Sequence, residues 1–414
     1  MVCRPTSEGD HRGGARRRRT RPEPGRPAPT GAAPPRSSVG PPREGRNPLV
    51  TVLCWDHRGG RTAPRTGVPV FPLTSPPTAE LHIHLEGTIE PAAVIEMARR
   101  NGVPAPAADL DELLSRYSFA DLQSFLDLHY ANLTVLRTEQ DFFELATGYL
   151  DRARAANIRR AEIFFDPQTH LGNGVPVGAV MAGITGALAD SERTHGISTD
   201  LIMCFLRDRG AAAADEMLTA ILPFRDAIIG VGLDSTEIGF PPELFVDVYA
   251  RAAAEGLHLV AHAGEEGGPE TVTAALDLLH VERVDHGIRS VEDPDLVRRL
   301  RDEQVPLTVC PLSNVALRTV DTLADHPLPG MLADGLLVGV NSDDPPYFGG
   351  YVDRNYAALR TELGMTAAQL EQLALNSFES CFLDRAVKDA YQDEVRAHFA
   401  GHAAESPGDG GTPG

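Results

Sequence analysis

The 414-residue chain predicts a (β/α)8 barrel with a helical lid inserted after its first strand. Three observations predict this. After residue 77, short apolar, β-branched runs alternate eight times with amphipathic helical stretches, the pattern of a parallel sheet with right-handed crossovers. Polar residues suited to metal binding or proton transfer recur at the C-terminal ends of those runs, where barrels carry their chemistry. About 70 residues separate the first run from the second, more than one crossover helix needs. A doubly wound open sheet is the alternative. It wants a Gly-rich dinucleotide loop after its first strand, and Leu85-Glu86-Gly87-Thr88 is not one.

Residues 1–76 are rich in Pro, Gly and Arg, including Arg16-Arg17-Arg18-Arg19, and show no hydrophobic period. Such a segment buries too little apolar surface to offset its ordering entropy, so it is expected to be a disordered basic leader. A misassigned start codon would also produce it, with Val68 or Val70 as the true start; mapping the N-terminus of the cellular protein decides that. The barrel is expected over 77–392. Residues 393–414 are expected to be the end of a C-terminal helix and a disordered Gly/Pro/Ser-rich tail.

The expected strands are 79–85, 158–165, 199–206, 228–234, 257–262, 283–287, 306–310 and 336–342. Helical patterns lie between them at 91–102, 175–195, 211–224, 242–255, 269–280, 293–303 and 324–334, and 364–390 closes the barrel. In the long insertion Phe119, Leu122, Phe125 and Leu126 recur at helical spacing. Helices over the barrel mouth would exclude water from a site beneath.

Composition excludes several function classes. Residues 1–78 carry 14 Arg against 5 acidic residues, so the total charge of −20 leaves −29 on the remainder. A body this acidic repels nucleic acid and suits a small neutral or cationic substrate. No apolar run is long enough to span a membrane, and the basic N-terminus lacks the apolar core of a secretory signal. Five scattered cysteines without a CxxC pair fit free thiols in a reducing cytoplasm.

His82 and His84 in Ala79-Glu80-Leu81-His82-Ile83-His84-Leu85-Glu86-Gly87 share a face only if the segment is extended. An isolated HxH in a strand is ordinarily packing. Its meaning changes because His262-Ala263-Gly264-Glu265, Asp285-His286-Gly287, Cys310-Pro311-Leu312-Ser313-Asn314 and Ser342-Asp343-Asp344-Pro345 end the fifth to eighth strands. Three imidazoles and a carboxylate with an open position suit Zn²⁺ or Fe²⁺, and His82, His84, His262 and Asp343 are that set. His286 is left to hold or deprotonate a water. Gly264 permits a turn that sends Glu265 toward the substrate as a proton donor. Asp344 diverges from its neighbour and is free to hydrogen-bond substrate. Lysine occurs once, at Lys388 beyond the eighth strand, which rules out a pair of metals bridged by a carboxylated lysine and leaves one metal. The absence of a P-C-x-x-C pair excludes the small cysteine-ligated zinc deaminases.

These motifs, in order and at barrel spacing over about 78–390, resemble the adenosine/adenine deaminases of the amidohydrolase superfamily. The segments 161–170, 232–237 and 342–351 most resemble the adenine deaminase branch. The resemblance implies one zinc per chain held by His82, His84, His262 and Asp343, Glu265 as proton donor, His286 as catalytic histidine, and Asp344 as purine contact. The implied reaction converts adenine and water to hypoxanthine and ammonia in purine salvage. Adenosine, an N6-substituted adenine or aminodeoxyfutalosine are the alternative substrates. Phe240 in Gly239-Phe240-Pro241-Pro242 and the run Leu171-Gly172-Asn173-Gly174 depart from the branch, in segments expected to border the purine. Glu237 replaces the glycine of adenosine deaminases and is expected to crowd a ribose site.

Overall fold

The computed structural model describes residues 75–405; the expectations for the leader and for the last residues of the tail fall outside them. Eight strands follow in order: β1 (Thr78–Glu80), β2 (Ile158–Phe165), β3 (Ser198–Leu206), β4 (Ile228–Asp234), β5 (His258–Ala263), β6 (Arg283–His286), β7 (Leu307–Val309) and β8 (Val338–Val340). Each pairs in parallel with the next, and helices lie in the crossovers. Side chains alternate along each strand with period two. On β2, Ala161, Ile163 and Phe165 join the main apolar core, whereas Phe164 joins a separate cluster with Ile202, Cys204 and Val260 from β3 and β5. The same alternation puts Leu81, Ile83 and Leu85 in the main core and leaves His82 and His84 on the opposite face.

The ring closes just after β1. His84 N–H donates to the Asp343 carbonyl (3.2 Å) and Asp343 N–H to the His82 carbonyl (3.1 Å). On the other flank Phe164 N–H donates to Ile83 and Leu85 N–H to Phe164, both at 2.9 Å. The expected strand 79–85 is therefore shorter as a regular ladder. Leu81 N–H donates to the Asn341 side chain (2.7 Å) instead of to a neighbouring backbone, and only isolated bridges follow.

Several expected helices are divided where chemistry demands it. Pro223 carries no N–H, and Gly210–Ile221 gives way to a 3₁₀ turn at Leu222–Ala227. The stretch 324–334 splits around Pro327 into Leu323–Asp325 and Leu328–Ala333. The stretch 175–195 splits into Val177–Leu188 and Ser191–His195, with Asp190 turning its carboxylate to Arg193 (2.5 Å). The last helix, Arg385–Glu405, runs past the expected end of the barrel at 392.

The insertion between β1 and β2 is helical, as expected. It holds Pro91–Asn101, Leu110–Ser115, Leu122–Leu133 and Glu139–Ala155. Phe119, Leu122, Phe125 and Leu126 pack with Leu317, Tyr347 and Phe348, which follow β7 and β8, in a cluster apart from the main core. Among the described residues no helix is long and apolar enough to cross a membrane, and Cys204, Cys310 and Cys381 are buried free thiols.

Candidate metal centre and active site

All four expected metal ligands converge at the C-terminal ends of their strands. His82 Nε2 and His84 Nε2 each lie 3.5 Å from Asp343 Oδ1, and His84 Nε2 lies 3.2 Å from His262 Nε2. Asp343 has φ 65°, a left-handed backbone that a non-glycine residue adopts only when its surroundings impose it. Ser313 donates to Asp343 Oδ2 (2.7 Å), which leaves Oδ1 to face the imidazoles. Burial alone would raise the Asp343 pKa, but the charges of His82, His286 and His84 hold it well below the carboxylate range.

The hydrogen bonds settle which nitrogens carry protons. Thr308 Oγ1 donates to Asp285 (2.8 Å), so it accepts from His82 Nδ1 (3.0 Å). His262 Nδ1 faces the Leu233 carbonyl (3.1 Å), an acceptor, and so carries its proton there. In the neutral rings both Nε2 atoms then present lone pairs. Burial keeps His262 far below its ordinary pKa and lowers His84 to about 4. At His82 burial is outweighed by Asp343 and Asp285, which raise its pKa, yet its Nε2 is buried without a hydrogen-bond partner. Converging lone pairs beside a carboxylate, with outer partners fixing the tautomers, fit a divalent cation.

Glu265 and His286 stand beside this cluster. Gly264 has φ 69°, where a Cβ would collide with Val272 (2.6 Å), and the turn it makes brings Glu265 in. Glu265 Oε2 lies 3.5 Å from His286 Nε2, and its Oε1 has no hydrogen-bond partner. Burial, then the charges of Asp343, Glu237 and Glu266, push its pKa well above its ordinary value, which favours the protonated form. His286 is oriented by a chain the sequence did not reveal. Leu328 N–H donates to His326 Nδ1 (3.1 Å), so neutral His326 carries its proton on Nε2 and donates it to Asn314 Oδ1 (3.1 Å). Asn314 Nδ2 then faces His286 Nδ1 (3.3 Å), whose lone pair accepts, and the His286 proton sits on Nε2 toward the site. Of the two roles expected for His286, this tautomer supports holding a water and opposes taking its proton.

Asp344 lines the cavity and approaches Gly87 so closely that any Cβ there would strike its carboxylate. Its Oδ1 lies 4.0 Å from Nδ1 of His129, a residue of the lid helix Leu122–Leu133. Leu122, Phe125, Leu126, His129 and Tyr130 form the lid side of the cavity, while Phe119 packs behind them. His129 was missed, although it interrupts the lid's apolar stripe seven residues after Leu122. Asp166 and Asp234 were missed as well. They are buried, hydrogen-bonded carboxyls at the ends of β2 and β4; burial lifts Asp234 to about 7, and burial with the Asp234 charge lifts Asp166 well above its usual range. Their position at strand ends was the signal available in the sequence.

Three specificity expectations are corrected. Neither 171–174 nor 239–242 lines the cavity, and Leu171 is exposed because its helix, Pro167–Gly172, turns that residue outward. Glu237 does not crowd the cavity either. Its carboxylate turns onto the backbone amides of 264–266.

The chain is similar along most of its length to known proteins. An adenine deaminase of Streptomyces coelicolor is 58% identical over 324 residues, which cover 78% of this chain and 95% of that protein. One from Cupriavidus necator is 51% identical, covering 80% and 94%. The crystal structure of an adenine deaminase from Arthrobacter aurescens superposes with a TM-score of 0.77 at 54% identity, covering 78% of this chain and 98% of that one. An amidohydrolase from Burkholderia ambifaria, solved with bound Zn, gives 0.75 at 30% identity, covering 82% and 96%. The adenosine deaminase family model matches residues 77–398, and with it the whole barrel and every residue of the cluster: the chain belongs to the adenosine deaminase family.

Proposed function

We propose that this protein hydrolyses adenine to hypoxanthine and ammonia, with one Zn²⁺ per chain held by His82, His84, His262 and Asp343. The observation that carries the reading is the convergence of His82 Nε2, His84 Nε2 and His262 Nε2 with Asp343, beside the buried carboxyl of Glu265. The relatives named adenine deaminase, at 50–58% identity, support the substrate, and the zinc-containing relative supports the metal. The cavity beneath the lid helix and the acidic body suit a small purine and no polyanion.

A bound Zn²⁺ lowers the pKa of water toward about 7, which makes hydroxide available at neutral pH. The remaining work falls to side chains. His286 donates from Nε2 to the attacking oxygen and holds it against C6. Glu265 gives its proton to N1 as the C6–O bond forms. The N1 proton remains in the hypoxanthine ring, the hydroxyl proton leaves with the amino group as ammonia, and the proton released when water ionises restores Glu265. Asp344 hydrogen-bonds the imidazole edge of the purine. Lid side chains exclude bulk water from the tetrahedral adduct.

Steady-state kinetics on adenine and adenosine side by side, read by ammonia release, test the substrate. Adenine is expected to have the higher kcat/KM. Equal or better turnover of adenosine or of an N6-substituted adenine overturns the assignment. Metal analysis is expected to give one Zn²⁺ per chain and a metal-poor, inactive His82→Ala variant. Two tightly bound metals per chain contradict it.

A further inference from the structure

After β4 the chain passes through Ser235, with φ 68°, to Glu237, which is 4% exposed. Glu237 Oε1 accepts from the backbone N–H groups of Glu265 (2.8 Å) and Glu266 (3.0 Å), and its Oε2 accepts from Gly264 N–H (3.1 Å). Three consecutive amides point at one carboxylate because Gly264 adopts a left-handed conformation, which makes the turn a concave anion site. The clasp is reciprocal. Glu266 Oε2 accepts from Glu237 N–H (3.1 Å) and from the Thr236 hydroxyl (2.9 Å). Thr271 Oγ1 also accepts from Gly264 N–H (2.9 Å). Glu237 does not line the cavity.

We infer that Glu237 is a positioning residue, whose carboxylate locks the backbone of 264–266 and thereby aims the Glu265 carboxyl into the cavity. The inference rests on the reading of Glu265 as the acid. Glu265 Oε1 has no hydrogen-bond partner, and Oε2 approaches His286 no closer than 3.5 Å. The side chain is not held by its own contacts, so its aim is set by the backbone beneath it. Charge-assisted bonds from three amides are the strong kind, and an acid displaced by about 1 Å loses on the order of 10²-fold in rate.

A double-mutant cycle between Glu237 and Glu265 tests this. Glu237→Ala is expected to keep one metal per chain and a KM within about 3-fold of wild type, while kcat falls about 10- to 100-fold. Glu237→Gln retains an oxygen for the Glu265 and Glu266 amides but cannot accept from Gly264, and its loss is expected to be smaller, about 3- to 10-fold. In a Glu265→Gln background either change is expected to cost less than about 2-fold, because the group it serves is already gone. Should Glu237→Ala fail to fold, the isosteric Gln variant carries the cycle alone. Wild-type kcat in the Glu237 variants overturns the inference. So does an equal fold-loss with and without Glu265, which is the mark of a merely structural role. Undiminished kcat in Glu265→Gln alone is a different failure: it removes the acid assignment itself, and the inference with it.

Discussion

At the scale of single residues, adjacent carboxylates do different work. Asp343 turns to the imidazoles and Ser313, whereas Asp344 turns to Gly87, His129 and the cavity. If Asp344 reads the imidazole edge of the purine, Asp344→Asn is expected to lower kcat/KM for adenine while costing little for an analogue lacking the nitrogen at position 7. An equal loss on both compounds would make Asp344 a support for Asp343 instead. Three residues at the strand ends around the site, Ser235, His286 and Asp343, have φ between 63° and 68°. Backbone held in that region costs of order 1–3 kcal/mol per residue and persists only where surrounding bonds over-determine it. The hydrogen bonds through Asn314 and Ser313 and the barrel-closing bonds at Asp343 supply that restraint.

At the scale of elements, the lid helix Leu122–Leu133 is defined by its start. Asp121 Oδ1 accepts from Ser124 N–H (2.9 Å), and Ser124 Oγ accepts in return from Asp121 N–H (3.2 Å), a reciprocal capping box. The first turn thus secured carries Leu122 and Phe125 into the cavity wall. Asp121→Ala is expected to cost about 1 kcal/mol, felt locally. Hydrogen exchange should show the amides of 122–126 losing protection while those of β2 and β3 keep theirs, and KM for adenine should rise. Unchanged protection in the lid would show that its packing on Tyr347 and Phe348 alone holds the helix in place.

At the scale of the molecule, buried charge links distant strands. Glu162 on β2 accepts from Arg160 (3.0 Å) and from Arg283 on β6 (2.6 Å), and Arg283 also stacks over Phe382 near the C-terminal helices. Burial would raise the Glu162 pKa, but Arg283 and Arg160 outweigh it and hold it below the ordinary 4.5. A depressed carboxylate contributes stability that is full above its unfolded pKa and is lost as pH falls through its folded one. Glu162→Gln leaves two buried guanidiniums under-compensated and is expected to cost about 3–5 kcal/mol at pH 7. The gap to wild type should narrow as pH drops below about 4, since glutamine mimics the protonated acid. Denaturant melts at pH 7 and pH 3.5 check this; a gap independent of pH would mean that packing, not charge, is at stake. Removing residues 1–74 is expected to leave kcat and Tm unchanged, because that stretch has no core-forming pattern. A large loss of activity would assign it a role.

Local pattern was enough for the barrel and for the convergence of His82, His84, His262 and Asp343. Strand and helix periods are properties of a few neighbouring residues, which is why β2 and β4 were legible to the residue and the order of all eight strands was correct. That cluster is legible for a related reason: few side chain types suit a cation, and a parallel barrel brings the same end of every strand to one place. What the fold alone decided is direction. The sequence does not say that Glu237 faces the amides of 264–266 instead of the cavity. Nor does it say that Asp166 meets Asp234, that a lid histidine reaches Asp344, or that His326 and Asn314 set the tautomer of His286. Each of these pairs joins different elements, and the direction of a buried side chain follows from whichever donor or acceptor the packing leaves unsatisfied. That balance exists only once the chain has closed into a barrel.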